Sequence, residues 1–224
     1  MIQQLTRPLV AGEHLSRDEF LRRWEAMPHL KHAELIGGKV YMTSPVSRLH
    51  AQADSQSNMW ISHYAAYTPV CETGGNATWF MLNDVPQPDV YLRLLEEYGG
   101  KSRLEKSYLA GAPELVVETC LSSASHDLNE KFQLYQKAGV DEYIAILAEK
   151  QTVYWHRLVN GKYRKMRQTA DGVMKSVVFP GLWLDVNAFF ERDSRLVLKV
   201  LEEGLNTIEH GEFVQNLVKR KPGH

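Results

Sequence analysis

One stretch of the sequence restricts the fold more than any other, because a strand, a helix and a second strand follow one another closely. Within positions 114–119, the apolar residues Leu115, Val116 and Val117 are consecutive and do not alternate with polar ones, as in a strand buried on both faces. Residues 125–138 have helical apolar spacing and end at Gly139, where a helix-stopping glycine belongs, and residues 142–147 form another apolar strand. The helix carries the chain back across the sheet, so the two strands should lie parallel. The pattern predicts an α/β fold with helices covering a mixed sheet.

Other periodicities extend this unit in both directions. Upstream, we expect a helix over 16–27 opened by the capping pair Ser16 and Glu19, two strands within 33–42, a helix over 48–67, and strands at 69–73, 78–81 and 88–92. Downstream, we expect a loop over 96–106, a hairpin of 152–158 with 162–168 around Asn160-Gly161, a strand near 173–179, and helices from 186. We therefore expect one domain over residues 1–224, with a core over about 15–190 and a helical C-terminal extension over about 186–216.

Composition excludes several classes of protein. Apolar runs are only a few residues long, far short of the roughly 20 needed to span a membrane, and the first residues lack a signal-peptide pattern. Two cysteines are too few for a disulfide framework, so we expect a cytoplasmic protein. The net charge of −1 argues against a protein that coats nucleic acid by bulk electrostatics. Basic residues do cluster within 162–167 and 219–221, where a solvated surface is the simplest explanation of each cluster.

Two acids stand where the pattern predicts core. Asp89 begins the strand predicted over 88–92, and Glu118 lies near the end of the strand predicted over 114–119. A buried carboxylate is costly unless a cation compensates it, so a shared divalent ion explains the pair better than packing does. Oxygen ligands suit Mg²⁺ or Mn²⁺, and Mg²⁺ also accepts phosphate oxygens of a substrate.

Lys131 supplies a third chemical group, on the helix that follows the Glu118 strand. A lysine beside such a metal can orient a water molecule and offset the charge that builds on phosphorus during hydrolysis. Each residue alone also has a structural explanation: Asp89 in a turn, Glu118 as a strand-end charge, and Lys131 paired on the helix surface with Asp127. The combination of all three favours the metal-site hypothesis.

A family resemblance rests on several motifs in this order. They are Glu34-Leu35-Ile36-Gly37-Gly38-Lys39-Val40 with Met42, Ser44, Pro45 and His50; Gln87-Pro88-Asp89-Val90; Pro113-Glu114-Leu115-Val116-Val117-Glu118; Ser122-Ser123-Ala124-Ser125-His126-Asp127 with Lys131 and Tyr135; Gly139-Val140-Asp141-Glu142-Tyr143; and Phe179-Pro180-Gly181-Leu182. Over about residues 15–190 the chain resembles the Uma-type "putative restriction endonuclease" family, a branch of the PD-(D/E)xK nuclease superfamily. The resemblance implies a restriction-endonuclease-like core, namely a mixed central sheet flanked by helices, with an added β-hairpin and C-terminal helices.

The resemblance also implies an activity: metal-dependent endonucleolytic hydrolysis of DNA phosphodiester bonds. Asp89 and Glu118 would bind Mg²⁺ or Mn²⁺, with Glu34 as a further acid that touches the metal directly or through water. The superfamily lysine ordinarily follows two positions after the second acid, where this chain has Cys120, and the family's pattern selects Lys131 instead. The carbonyl of Thr119 or Cys120 would add a ligand, and His50 matches a position near the site.

The chain departs from the family pattern without losing a proposed ligand. Ser122-Ser123 replaces a Ser-Pro pair, which puts in doubt how rigidly the loop at 121–126 is held, and Gly37 and Lys39 replace acidic residues that are common in the first hairpin. DNA is the implied partner, although no base-reading helix stands out and the pattern leaves DNA and RNA both open. Analogy with nucleases that cut two strands suggests a homodimer.

Other interpretations compete with this one. Ser123, His126 and Asp127 could suggest a nucleophilic triad, but residues this close at a helix start do not aim at one another, and N-capping explains them better. A phosphate-binding loop is excluded for Gly99-Gly100-Lys101-Ser102, because the position of the first glycine of that motif holds Leu95. Trp155 is a candidate for stacking on a base. The alternative function is a non-catalytic nucleic-acid-binding or regulatory protein that retains the nuclease fold, which the near-neutral charge favours slightly.

Overall fold

A computed structural model describes residues 6–42, 45–120 and 125–220, with the side chains of 125–128 left out. The helices are α1 (Arg17–Glu25), α2 (Arg48–Ala66), α3 (Ser125–Ala138), α4 (Val186–Glu191), α5 (Ser194–Leu205) and α6 (Ile208–Val218). The strands are β1 (Ala33–Ile36), β2 (Lys39–Met42), β3 (Cys71–Gly74), β4 (Trp79–Phe80), β5 (Val90–Leu94), β6 (Arg103–Glu105), β7 (Tyr108–Ala110), β8 (Leu115–Cys120), β9 (Glu142–Leu147), β10 (Thr152–Val159), β11 (Lys162–Lys165), β12 (Val173–Lys175) and β13 (Trp183–Asp185).

The centre of the fold is a six-stranded mixed sheet in the order β11-β10-β9-β8-β5-β3. β8 and β9 are parallel and connected through α3, while every other neighbouring pair in this sheet is antiparallel. Every residue of β9 is buried, which explains why its apolar residues do not alternate. This arrangement confirms the predicted α/β class with a mixed central sheet flanked by helices.

Helices cover the sheet on both faces. On one face, Trp60, Ile61 and Tyr64 of α2 pack with β5, β8 and the C-terminal helices in the largest core cluster. On the other face, Leu134 and Tyr135 of α3 pack against β8 and β9 in a second cluster. Because side chains alternate along a strand, odd and even positions of β8 serve different cores.

A fully buried carboxylate connects the central sheet to the loop before β13. Glu142, the first residue of β9, accepts hydrogen bonds from the Trp155 indole (3.0 Å), the Ser176 hydroxyl (2.7 Å) and the amides of Val177 (2.8 Å) and Val178 (3.1 Å). The same contacts correct the suggestion that Trp155 stacks on a base. Its ring is fully buried beside Trp60, so it belongs to the core.

Two predicted segments were wrong in detail. The stretch 96–106, expected to be a loop, contains a 3₁₀ turn at Glu96–Tyr98 and strand β6, which pairs with β7. The strand expected near 173–179 is only β12, and it pairs with β13, which the pattern did not reveal. Both errors involve three-residue strands, which are too short to show a period and are defined by their partners.

Several local predictions are confirmed. Ser16 caps α1 by accepting from the Glu19 amide, although the Glu19 carboxylate pairs with Arg22 and Arg23 instead of returning to the cap. Gly37 and Gly38 form the β1–β2 turn with positive φ, and β10 and β11 form the expected hairpin. No helix within the described ranges is both long and apolar enough to cross a membrane.

Candidate active site

Sheet register brings Asp89 and Glu118 together. Val90 pairs with Val117 at the end of the antiparallel β5–β8 ladder. Asp89, predicted to begin this strand, directly precedes it, and continuing the register brings Asp89 beside Glu118. The Thr119 amide donates to Asp89 Oδ2 at 2.7 Å, which fixes this carboxylate at the end of β8.

Glu118 is buried and contacts two side chains of α3. Lys131 Nζ lies 3.0 Å from Glu118 Oε2, and the Tyr135 hydroxyl donates to Oε1 at 2.6 Å. Lys131 and Tyr135 are four residues apart, so they lie one above the other on the helix surface. Both oxygens of the carboxylate are therefore held by one helix.

Glu34 approaches the same lysine from the N-terminal hairpin. The amide of Gln87 donates to Glu34 Oε1 at 2.7 Å, and Lys131 Nζ lies 2.9 Å from the same oxygen. Reciprocal backbone hydrogen bonds between Leu35 and Val85 dock β1 onto the segment that precedes Asp89. The Lys131 ammonium thus lies between two carboxylates that are 84 positions apart in the sequence.

The electrostatics of this cluster are unbalanced. Burial, followed by the charges of Asp89 and Glu34, raises the pKa of Glu118 to about 8, although Lys131 opposes the shift. Burial alone would lower the pKa of Lys131, but the charges of Glu118, Glu34 and Asp89 outweigh it and raise that pKa well above its ordinary value. Three carboxylates and one ammonium carry a net charge of −2 when all are ionised, so the cluster lacks positive charge.

The donor set suits a hard divalent cation. Carboxylate oxygens are the ligands that Mg²⁺ and Mn²⁺ prefer, and a charge of +2 would neutralise the cluster. Within the described residues, no three or more His, Cys, Asp or Glu side chains are arranged as a ready-made metal site, and Lys131 lies between Glu34 and Glu118. Asp89, which directly precedes β5 and is bonded to the residue after Glu118, and Glu118 itself are the pair best placed to share an ion.

Other residues near the cluster were not identified as site candidates from the sequence. Tyr135 belongs to a motif of the family resemblance but received no role there, and its hydroxyl contacts Glu118. Asp54 lies on α2, and burial followed by the charge of Asp89 raises its pKa, while His50, one turn earlier, acts to lower it. The four-residue spacing of His50, Asp54 and Asn58 on an otherwise inward helix face was the signal available in the sequence.

Two expectations concern the segment after β8. The carbonyl of Cys120, one of two suggested backbone ligands, accepts a hydrogen bond from the Ala148 amide at 2.9 Å. The Ser123, His126 and Asp127 side chains of the competing triad, and the loop at 121–124, lie outside the described part of the molecule.

Comparison with known proteins identifies the family of this chain and a solved structure with a similar fold. The family model described as "Putative restriction endonuclease", Uma2, matches residues 17–187. The chain belongs to this family. Among solved structures, a protein from Anabaena variabilis ATCC 29413, titled "a putative nuclease belonging to DUF820", is similar to 79% of this chain and 98% of its own chain, with a TM-score of 0.61 and 18% identity. That identity supports a shared fold. The comparison with curated proteins gives no match. Family and fold together support a nuclease.

Proposed function

We propose that this protein is a Mg²⁺- or Mn²⁺-dependent endonuclease that hydrolyses phosphodiester bonds of DNA. The observation that carries the proposal is the convergence of Asp89, Glu118 and Lys131. Asp89 directly precedes β5 and accepts from the Thr119 amide of β8, next to Glu118, and the Lys131 ammonium contacts Glu118 at 3.0 Å. The family to which the chain belongs makes phosphodiester cleavage the reaction to test first.

We assign Asp89 and Glu118 as the residues that hold the cation. The hydrogen bond from Thr119 uses Asp89 Oδ2, so we assign Oδ1 of Asp89 to the ion. Glu34 remains a candidate third acid, and because its contacts with Gln87 and Lys131 both use Oε1, Oε2 is the oxygen it would offer. When bound, the cation would supply a Lewis acid for the phosphate and lower the pKa of a bound water.

Lys131 has two roles in this proposal. Its ammonium donates toward the site, where it can orient the attacking water and offset negative charge that develops on the phosphoryl oxygens. Glu34 and Tyr135 are positioning residues: Glu34 holds the Lys131 ammonium from the hairpin side, and Tyr135 holds Glu118 from the helix side. The low exposure of Lys131, 14% of its side chain, strengthens these interactions by excluding water.

Plasmid nicking in Mg²⁺ or Mn²⁺ tests this assignment. Asp89→Ala and Lys131→Ala should each abolish nicking. Asp141→Ala and Lys137→Ala remove the same charges outside the acid–lysine cluster and should leave nicking unchanged. Circular dichroism of each variant would establish that it is folded. Cleavage that survives both site substitutions would remove the nuclease assignment.

A non-catalytic protein that binds nucleic acid or regulates a partner is the second candidate. The observation that favours it is the ion-paired state of Lys131, whose ammonium is engaged by Glu34 and Glu118. Salt-dependent DNA binding without nicking in any divalent metal would select this alternative. If nicking occurs and proceeds to double-strand cuts, we propose a homodimer, which sedimentation at the assay concentration would test.

A further inference from the structure

One surface outside the acid–lysine cluster has a strong charge of a single sign. Residues 152–170 contain five Lys or Arg and no Asp or Glu. Since the whole chain carries −1, the remainder carries −6. The five cations are Arg157, Lys162, Arg164, Lys165 and Arg167. Like charges gathered on one segment repel each other, and a counter-charge from elsewhere relieves that repulsion.

The structure places these cations on the β10–β11 hairpin and the residue positions just after it. All five are exposed, and β11 is an edge strand of the central sheet. Arg157 is paired directly with Arg164 across the hairpin, a cross-strand arrangement that destabilises a sheet. The hairpin therefore keeps a pairing that stability alone would disfavour.

The cations are not neutralised within the described part of the chain. None of the ion pairs found there includes any of the five, although carboxylates pair with Lys and Arg elsewhere in the molecule. Lys165 instead lies over the ring of Tyr154, with its Nζ 4.7 Å from the ring centroid. An aromatic ring with a cation across its face is a surface that also suits nucleic acid.

Sheet register relates the hairpin to the acid–lysine cluster. Glu118 pairs with Ala145, and Ala145 pairs with Tyr154, so Glu118 and Tyr154 occupy one row on the same face of the sheet. Two strand spacings separate them, which is about 10 Å. Duplex DNA carries one negative charge per roughly 1.7 Å of its axis, so about six phosphate charges fall within that interval.

We propose that the β10–β11 hairpin binds the phosphate backbone of duplex DNA beside the cluster of Asp89 and Glu118. The inference rests on the proposed function, because that function supplies DNA as the partner. Phosphate binding explains the clustered charge and the exposed edge position of the hairpin. Lys165, which pairs with His156, projects from the same face as Tyr154 and Glu118, whereas Arg157 and Arg164 project from the other face at the edge of the sheet. Phosphate binding also explains how a chain with a net charge of −1 meets a polyanion: a local cationic surface replaces bulk charge.

A different role for the same charges is protection of the sheet edge. Lysines on an exposed edge strand discourage pairing with another chain. This explanation predicts that neutral substitutions cause self-association and leave DNA binding unchanged. It does not account for Arg157, which lies on β10, between β9 and β11 in the sheet.

Fluorescence anisotropy of a labelled 30-base-pair duplex in EDTA tests the proposal without cleavage. The test variant is Arg164→Gln with Lys165→Gln. The matched control is Arg195→Gln with Lys199→Gln, which removes two exposed cations from α5. Loss of two phosphate contacts should reduce the slope of log K against log salt by about 1.8 and weaken binding at least tenfold at 0.1 M salt. The control should bind within twofold of wild type.

Two outcomes would overturn the proposal. One is a hairpin variant with the wild-type slope and affinity, with or without self-association in sedimentation. The other is an equal loss in the hairpin and α5 variants, which would mean that the effect reflects only net charge.

Nicking assays separate this proposal from the nuclease proposal. If wild type binds but does not nick, the anisotropy result still decides the role of the hairpin. If nicking requires Asp89 but the hairpin variant needs no more DNA for half-maximal rate, the nuclease proposal stands and the hairpin proposal fails.

Discussion

Replacement of Lys131 by methionine should destabilise the metal-free protein by an amount that grows with pH. The substitution keeps a long side chain but removes the ammonium that contacts Glu34 Oε1 at 2.9 Å and Glu118 Oε2 at 3.0 Å. Loss of one partner from a buried ion pair typically costs about 3–5 kcal/mol, because the remaining charge is left uncompensated.

The pH dependence follows from Glu118, whose pKa is raised to about 8 in the folded protein. At pH 6, Glu118 is mostly protonated in EDTA, so Lys131 compensates chiefly Glu34, and we expect a loss of about 1–2 kcal/mol. At pH 9, Glu118 of the wild type is ionised and paired with Lys131. In the variant, Glu118 must either be buried as an unpaired carboxylate or stay protonated at a pH where it would otherwise ionise. There we expect the loss to reach about 3 kcal/mol or more.

Urea unfolding in EDTA at pH 6 and pH 9, followed by tryptophan fluorescence, measures both values. Lys137→Met is the matched control, because it removes an exposed ammonium from the last turn of the same helix. The control should change the free energy of unfolding by no more than about 0.5 kcal/mol at either pH. Equal losses at the two pH values, or losses no larger than in the control, would refute the electrostatic account of the cluster.

Three further predictions concern stability. The pKa of Glu118 is raised from its ordinary value near 4.5 to about 8 in the folded protein, so metal-free wild type should lose stability as pH rises between these values. Glu118→Gln should flatten this loss in urea titrations in EDTA, and a variant as pH-dependent as wild type would count against the explanation. Glu142→Ala removes the acceptor of four hydrogen bonds, those from Trp155 and Ser176 being fully buried, and should cost about 3 kcal/mol or more in chemical denaturation, against a smaller cost for Glu142→Gln. Equal costs would argue against the hydrogen-bond explanation. Gly204→Ala would place a Cβ 2.3 Å from the Gly181 carbonyl oxygen and should lower the melting temperature by several degrees, whereas a melting temperature like that of wild type would show that α5 can shift freely.

The elements that could be predicted from the sequence are those with a periodic apolar pattern over a long segment or with specific turn residues. The strand–helix–strand unit around α3 was evident because buried strands, a helical repeat and Gly139 follow one another within about 34 residues. The Asn160-Gly161 hairpin was evident from its turn. Strands β12 and β13 were not, because each has three residues and depends on its partner for definition.

For the candidate active site, residue types were predictable and their contacts were not. Asp89 and Glu118 stood out as acids among core residues, but their proximity depends on β5–β8 register, which no local pattern determines. Tyr135 received no role at the site, because helical spacing identifies the buried face of a helix but not the partner of a hydroxyl on it. Asp54 was missed because its neighbour Asp89 lies 35 positions further along the chain.

The account depends most on Asp89 and Glu118 sharing one divalent cation. A crystal structure of the protein soaked in Mn²⁺, with anomalous scattering to locate the metal, tests this directly. We predict one peak between the two carboxylates, within coordination distance of an oxygen of each, with the Lys131 ammonium still beside it. Mn²⁺ bound elsewhere, with Lys131 still paired to Glu118 and no peak at Asp89, would contradict the proposed metal site.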